Sequence, residues 1–282
     1  AARSRKAATA GGGDMIEPGA PGAATPPPAR LSIVIPAYNE ERRLPRTLAE
    51  VQSWIDRREP SSEVIVVDDG STDGTVRVVQ EWQARHPNVR LIAGVARGKG
   101  MAVRRGMLAA TGTLRFLCDA DLSMPIGELD KFLAAAGRAD IVIGSREAPG
   151  ASRIGESRLR HLMGRVFNLL VRLLAVRGFA DTQCGFKLFS AEAAGDVFAR
   201  ARMVGWGFDP EVLYLAQRRG YRIAEVAIEW HSDSDSRVRP IQDAAAMVRD
   251  LLAIRWNGLR GAYDGQAAHR GEVAATRVRS RR

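Results

Sequence analysis

Two aspartates one residue apart, Asp119 and Asp121, follow directly on the apolar run Phe116-Leu117-Cys118. Side chains of a strand alternate between its faces, so carboxylates at i and i+2 point the same way where the strand opens into a loop. Held side by side they repel. A hard divalent cation such as Mg2+ or Mn2+, shared with the oxygens of a substrate phosphate, relieves that repulsion. An Asp-x-Asp pair also occurs in ordinary acidic turns, so its meaning depends on what else the chain brings to the same place.

Several other groups stand at comparable positions. Pro36-Ala37-Tyr38-Asn39-Glu40 follows the apolar run 31–35. The Tyr38 ring suits stacking on a base and Glu40 suits accepting from sugar or base hydroxyls, although the same residues suit a turn that caps a helix. Asp68 and Asp69 end the apolar run 64–67; Asp68 is the candidate acceptor for a base N–H, leaving Asp69 or Asp73 to cap the next helix. Arg97-Gly98-Lys99-Gly100 leads into a helix carrying Arg104 and Arg105, and a basic loop entering a helix suits a diphosphate. Arg146 lies just past the run 140–144. Asp209, Glu211 and His231, the last of which precedes a loop rich in Ser and Asp, are further candidates for binding a substrate. The other histidines, His86, His161 and His269, stand alone. The chain has no P-loop, no Gly-x-Gly-x-x-Gly after its first strand, no Gly-x-Ser-x-Gly elbow and no cluster of zinc ligands.

Positioning these groups at one edge requires a sheet. Near-continuous apolar strands at 31–35, 64–67, 89–93, 114–118 and 140–144 alternate with segments of helical periodicity, the first of them carrying Leu44, Leu48, Val51 and Ile55. That rhythm predicts an α/β fold whose mostly parallel sheet is covered by helices on both faces. Later segments predict a helix over 208–218, a strand over 221–230 and a helix from about 240 to 256. Between them, residues 153–177 hold six arginines and one glutamate among leucines and valines, a basic amphipathic helix or two in succession.

The formal charge of +10 is concentrated outside this pattern. Residues 1–30 carry four bases and two acids, and residues 259–282 carry six bases and two acids. Both segments are poor in periodic apolar residues and read as flexible tails around a single domain at 31–258. The remaining core has no basic stripe interleaved with aromatics, which argues against a nucleic-acid partner. Two cysteines, Cys118 and Cys184, make no disulfide framework and point to a reducing, cytoplasmic setting. No apolar run is long enough to span a bilayer, and no signal peptide is apparent.

Taken in order, Pro-Ala-Tyr-Asn-Glu, Val-Asp-Asp-Gly-Ser-Thr-Asp, Gly-Lys-Gly and Asp-Ala-Asp resemble the inverting family 2 glycosyltransferases of GT-A fold. Gly144-Ser145-Arg146, the run from Asp181 to Lys187, Phe208-Asp209-x-Glu211 and Ile223-Ala224-Glu225-Val226 before Trp230 narrow the likeness to the dolichyl-phosphate β-glucosyltransferases and their prokaryotic polyprenyl-phosphate relatives. The resemblance covers about residues 31–256. It implies a GT-A nucleotide-diphospho-sugar transferase fold and metal-dependent transfer of glucose from UDP-glucose to polyprenyl or dolichyl phosphate. Alternatives are a GDP-mannose donor or another acceptor, and outside enzymes a nucleotide-sugar-binding scaffold.

By resemblance Pro36, Tyr38, Glu40 and Asp68 are nucleotide-binding, and Asp121, helped by Asp119, holds Mg2+ or Mn2+. Lys99, Arg104 and Arg146 surround the donor diphosphate and cleft, and Asp209, Glu211 and His231 are candidates for the acceptor side. Ser236-Arg237-Val238 stands where relatives carry Ser-Lys, which implies that Arg237, with Arg239 beside it, receives the acceptor phosphate. A lipid acceptor implies a membrane surface as partner, with 153–177 as the segment expected to lie on it and the cytoplasmic face as the expected place.

Overall fold

The computed structural model describes residues 29–94, 98–232 and 240–264. Arg97, Arg237, Arg239, His269 and the outer parts of both predicted tails lie outside the described residues.

The chain opens with strand β1 (Leu31–Ala37), helix α1 (Leu44–Arg58), strand β2 (Ser62–Asp68), helix α2 (Thr75–Gln83) and strand β3 (Val89–Ile92). Helix α3 (Lys99–Ala109) then leads to strand β4 (Leu114–Leu117). β1 and β2 are apolar throughout because both faces are covered. Ile33 and Ile35 join Leu44, Leu48 and Val51 on one side, while Val34 joins Val103 and Met107 on the other. Gly106 lets α3 lie close, since a Cβ there would run into Val34 and Val67.

A single 3-10 turn, Ile126–Glu128, precedes α4 (Leu129–Ala136), β5 (Ile141–Ser145), β6 (Ser152–Ile154) and α5 (Arg158–Leu174). The remainder is β7 (Lys187–Ser190), α6 (Ala191–Arg200), α7 (Phe208–Arg218), β8 (Ile223–Ala227), β9 (Glu229–His231) and α8 (Pro240–Leu259). The main sheet has the order β3-β2-β1-β4-β7-β5-β8, parallel except for β7, which runs against both β4 and β5. β2 and β3 step away from β1 in one direction while β4 lies on its other side. The strand order therefore reverses between β1 and β4, and the crevice beyond their carboxyl ends is where an open α/β sheet binds ligands.

Four features depart from the sequence expectation. β7 and α6 occupy a stretch whose pattern had suggested neither element. The strand expected over 221–230 is broken into β8 and β9, and β9 leaves the main sheet to pair with β6. The basic stretch begins as strand β6, turns at Gly155 with φ of 79°, and only then becomes α5. The core also continues past residue 258: Tyr263 is buried and its hydroxyl donates to Glu211 Oε1 at 2.7 Å.

Candidate active site

The loop carrying the two aspartates is pinned by backbone and side-chain bonds from three elements. Cys118 N donates to Val34 O of β1 at 2.9 Å, Thr47 Oγ1 of α1 donates to Ala120 O at 2.6 Å, and His231 N of β9 donates to Ser123 O at 2.7 Å. Leu122 takes a left-handed conformation with φ of 46°, costing about 1–3 kcal/mol, which the surrounding bonds hold in place. The turn lets Ser123 N donate to Asp121 Oδ1 at 3.0 Å. Burial and the neighbouring Asp119 carboxylate push the Asp121 carboxyl above its ordinary range, with the Ser123 bonds and Lys99 pulling it back. This is the repulsion expected of the spacing. Among the described residues no third Asp, Glu, His or Cys joins the pair to complete a metal site. Two carboxylates with open remaining positions fit a hard cation that takes its other oxygens from substrate phosphates and water.

Lys99, the first residue of α3, reaches this loop. Its Nζ lies 2.7 Å from Asp119 Oδ1 and over the rings of Trp206 at 5.0 Å and Phe208 at 5.9 Å. Burial draws the ammonium pKa down, but the charges of Asp119, Asp209 and Asp121 outweigh it and the net shift is upward. Gly100 next to it is pressed against Met203 O, Gly205 O and Phe208 Cβ, so the start of α3 is seated on the loop entering α7.

The tips of β1 and β2 form the other wall. Tyr38 is 46% exposed just past β1, and Asn39 is the second non-glycine residue with positive φ, 54°, among the described residues. Asn39 N donates to Ser71 Oγ and Asn39 Oδ1 accepts from Thr72 N, both at 2.8 Å, which ties the two tips together. Pro36 lies within β1 opposite Val67. Glu40 pairs with Arg43 at 3.3 Å, while its backbone N–H donates to Thr75 Oγ1. Asp68 is buried and accepts from Gly70 N at 3.0 Å and Ser71 N at 3.2 Å, so it shapes its own loop; Asp69 accepts from Gly98 N at 2.9 Å.

The remaining candidates divide. Arg146 stands at the same sheet edge, gripped by Asp181 through Nε at 2.7 Å and a second nitrogen at 3.0 Å, with its guanidinium over Trp230. Burial works against both charges, yet the pairing holds the Asp181 carboxyl well below the carboxylate range and raises Arg146. Arg104 is placed elsewhere: its Nε donates to Phe198 O at 2.8 Å and a terminal nitrogen to Ala199 O at 3.3 Å. Five residues beyond Lys99 it projects about 140° round α3, toward the carbonyl end of α6 rather than the diphosphate.

Asp209 and Glu211 face inward instead of lining an acceptor cleft. Glu211 accepts from Arg202 N, Met203 N and Tyr263 Oη, fixing the loop before α7, and Asp209 pairs with Lys187. His231 is exposed and bonded to Glu229 at 2.7 Å. Cys118 and Cys184 are both buried free thiols, the latter pushed up to about 12, chiefly by burial.

Sequence reasoning did not single out Asp181, Lys187, Trp206 or Arg153 as site residues. Two clefts adjoin residues of this region. One, of about 290 Å³, lies beside Trp206 between Met203, Val204 and the α8 residues Met247 and Asp250. The other, of about 330 Å³, is lined by Arg146, Arg153, Glu156 and His161. Arg153 bonds Glu147 and Glu156 and also covers Trp230.

A sequence profile described as glycosyl transferase family 2 matches residues 32–198. A dolichyl-phosphate beta-glucosyltransferase of Trichomonas vaginalis is 37% identical over 243 residues, covering 82% of this chain and 72% of that protein. The Homo sapiens protein of the same name is 37% identical over 253 residues, covering 84% and 78%. Among solved structures, mannosyl-3-phosphoglycerate synthase from Rubrobacter xylanophilus superposes with a TM-score of 0.59 at 22% identity, covering 86% of this chain and 78% of that one. Glucosyl-3-phosphoglycerate synthase from Mycobacterium tuberculosis, solved with Mn2+, UDP and phosphoglyceric acid, gives 0.57 at 23% identity over 81% and 78%. The shared architecture is the GT-A fold.

Proposed function

Since the chain belongs to glycosyl transferase family 2, we propose that it transfers glucose from UDP-glucose to the phosphate of a polyprenyl or dolichyl lipid, with inversion at the anomeric carbon. The observation that carries this reading is the Asp119–Asp121 pair with Lys99 beside it, at the edge where the strand order reverses. Tyr38 stacks on the uracil, and Glu40 and the Asp68 loop contact the nucleoside. Lys99 attracts the diphosphate.

Asp119 and Asp121 would hold Mg2+ or Mn2+, which supplies countercharge for the departing diphosphate. The acceptor is a phosphate monoester, with a second pKa of about 6, and so is largely dianionic at neutral pH. It needs cations to place it more than a base to deprotonate it. Arg146 and Arg153 border the cleft that supplies such cations, and Arg237 and Arg239, a few residues beyond the end of β9, are proposed to join them. Guanidinium groups suit this task because two parallel hydrogen bonds orient the nucleophile.

The lipid tail requires an apolar surface. On α5, Leu162, Val166, Leu169 and Leu173 recur at helical spacing and are all exposed, opposite the buried Val171. Leu252, Trp256 and Leu259 form an exposed stripe on α8, which packs on α5. Exposed Arg165 and Arg172 flank the α5 stripe, as interfacial binding to anionic lipid requires. The exposed stripes and their arginines are the reason we assign this face to peripheral binding, on the cytoplasmic side; no helix among the described residues is long and apolar enough to cross a membrane.

Calorimetric titration with UDP, UDP-glucose, GDP and GDP-mannose in the presence of Mn2+ tests the donor assignment. Uridine nucleotides are expected to bind more tightly by at least about tenfold, or 1.4 kcal/mol. The reverse order would move the donor to GDP-mannose.

A further inference from the structure

The Lys187–Asp209 pair is buried, and the proposed reaction makes no direct use of it. Lys187 is 1% exposed and its ammonium contacts both Asp209 Oδ1 and Cys184 O. The Asp209 carboxyl is pushed up by burial and drawn back by the ammonium groups of Lys187 and Lys99. Burying two charges costs several kcal/mol of desolvation, and apolar pairs of similar volume often serve stability as well or better. The pair is therefore a poor device for holding a core together, and its position suggests another use.

Lys187 opens β7 opposite Leu117 of β4 and Ile143 of β5, so its backbone lies at the sheet edge immediately below the aspartate loop. Its bond to Cys184 O fixes the backbone just before Gly185. Gly185 is the surface on which Asp119 rests: a Cβ there would collide with the Asp119 carboxylate. The other contact, to Asp209, fixes the first turn of α7. Trp206, just before that turn, and Phe208, which opens it, have their rings 5.0 and 5.9 Å from the Lys99 ammonium, and Gly100 is seated on the same loop. One buried ammonium thus joins the two pieces of chain that separately locate Asp119 and Lys99, which meet at 2.7 Å.

We propose that Lys187 and Asp209 are positioning residues for glycosyl transfer: their buried pair sets the distance between the Asp119–Asp121 carboxylates and the Lys99 ammonium. The inference rests on the nucleotide-sugar reading of that site. Neither residue touches substrate. A displacement of about 1 Å at a reacting centre can cost about 100-fold in rate, which is the scale expected when the tie is removed.

The test is the double variant Lys187→Met/Asp209→Leu, which replaces the ion pair by apolar side chains of similar size, with Asp209→Asn as a companion that keeps the side chain's volume and an accepting oxygen toward Lys187 but removes the charge. Three properties are measured in wild type and variants: the thermal unfolding midpoint, Mn2+ binding in the presence of UDP by electron paramagnetic resonance, and kcat and KM with a short polyprenyl phosphate. The expected result is a folded double variant whose kcat falls by about 100-fold and whose Mn2+ binding with UDP weakens, while acceptor KM stays within about twofold. Asp209→Asn should follow in the same direction with a loss of about tenfold. A folded double variant with wild-type kcat and Mn2+ binding would overturn the proposal. If the double variant does not fold, wild-type kcat in Asp209→Asn overturns it and a reduced kcat with unchanged acceptor KM supports it. Wild-type protein that binds no nucleotide with Mn2+ would instead defeat the reading of the site itself, and the two failures are separate.

Discussion

The sheet edge around Asp119 and the outer face of α5 and α8 invert the usual rule of burial in opposite ways. At the edge, charged groups are drawn inward: Lys99 and Asp119 keep only 22% and 24% of their side chains exposed, and Asp181, Lys187 and Asp209 are buried outright. Each charge has a partner at hydrogen-bond distance. On the helical face, leucines and a tryptophan point outward, exposed among the described residues. The first arrangement costs desolvation and is met by pairing. The second leaves apolar area in water, as is typical of a surface with a partner. In the proposed function the edge holds charge while a bond is exchanged, and the face holds the molecule against lipid.

The largest expected effect separates the two regions directly. Asp121→Ala should lower transfer by about 1,000-fold or more, the scale of losing electrostatic stabilisation of a leaving group, while leaving vesicle binding intact. Sedimentation with anionic vesicles alongside initial rates checks both halves; a matching loss of vesicle binding would merge the regions.

Asp181→Asn should come next, because it leaves the partly buried Arg146 guanidinium without its counter-charge. A loss of about 3 kcal/mol in unfolding free energy is expected near neutral pH. The sign with pH follows from the depressed Asp181 carboxyl. A carboxylate whose pKa is lower folded than unfolded adds stability that is fully present above its unfolded value, about 3.9, and is lost as pH falls below it. Wild type and variant should therefore converge in acid. Urea unfolding from pH 7 to pH 3 measures this, and a gap that widened on acidification would contradict the pairing.

On the helical face, replacing Leu162, Val166 and Leu169 by Ser should reduce activity on a vesicle-embedded acceptor by about tenfold, since each exposed side chain stands to bury only part of its area in lipid. Activity on a short water-soluble acceptor should be unchanged. The smallest effect is expected from Arg165→Gln with Arg172→Gln: about three- to tenfold weaker vesicle binding at low salt, fading as salt rises, because surface cations act within a Debye length. An equal loss on both acceptors in the serine variant would make the stripe a structural or subunit contact instead.

The aspartate loop and the strands that carry it were legible because their signals are local. Apolar runs ending in Asp68, Asp119 and Arg146 state both a buried strand and a charged tip, and the first two strands show their two covered faces in uninterrupted Val and Ile. β7 was hidden because Lys187, a charged residue, opens a buried strand only four residues long. Its neutralising partner Asp209 lies 22 residues further on, which no local window relates to it. Helix α6 carries a fainter signal: Ser190 caps it by accepting from Ala193 N, ahead of an alanine-rich turn.

Arg104 illustrates a different limit. Its proximity to Lys99 in sequence suggested a shared ligand, but helical geometry turns it to the carbonyls of Phe198 and Ala199. For α5 the apolar and basic composition was evident, whereas which apolar side met the core depended on where α8 and the sheet lie. The sequence also places Tyr263 in a tail, since one buried tyrosine in the turn after a helix leaves no periodic trace.

The most direct measurement incubates the purified protein with UDP-glucose, UDP-galactose, GDP-mannose or GDP-glucose and a short polyprenyl phosphate, with and without Mn2+ or Mg2+, and weighs the lipid product. The predicted result is one added hexose on the lipid phosphate, formed from UDP-glucose and only when a divalent ion is present. Metal-independent transfer, or no lipid product from any donor while nucleotide still binds, would contradict the roles given to Asp119 and Asp121 and to the acceptor.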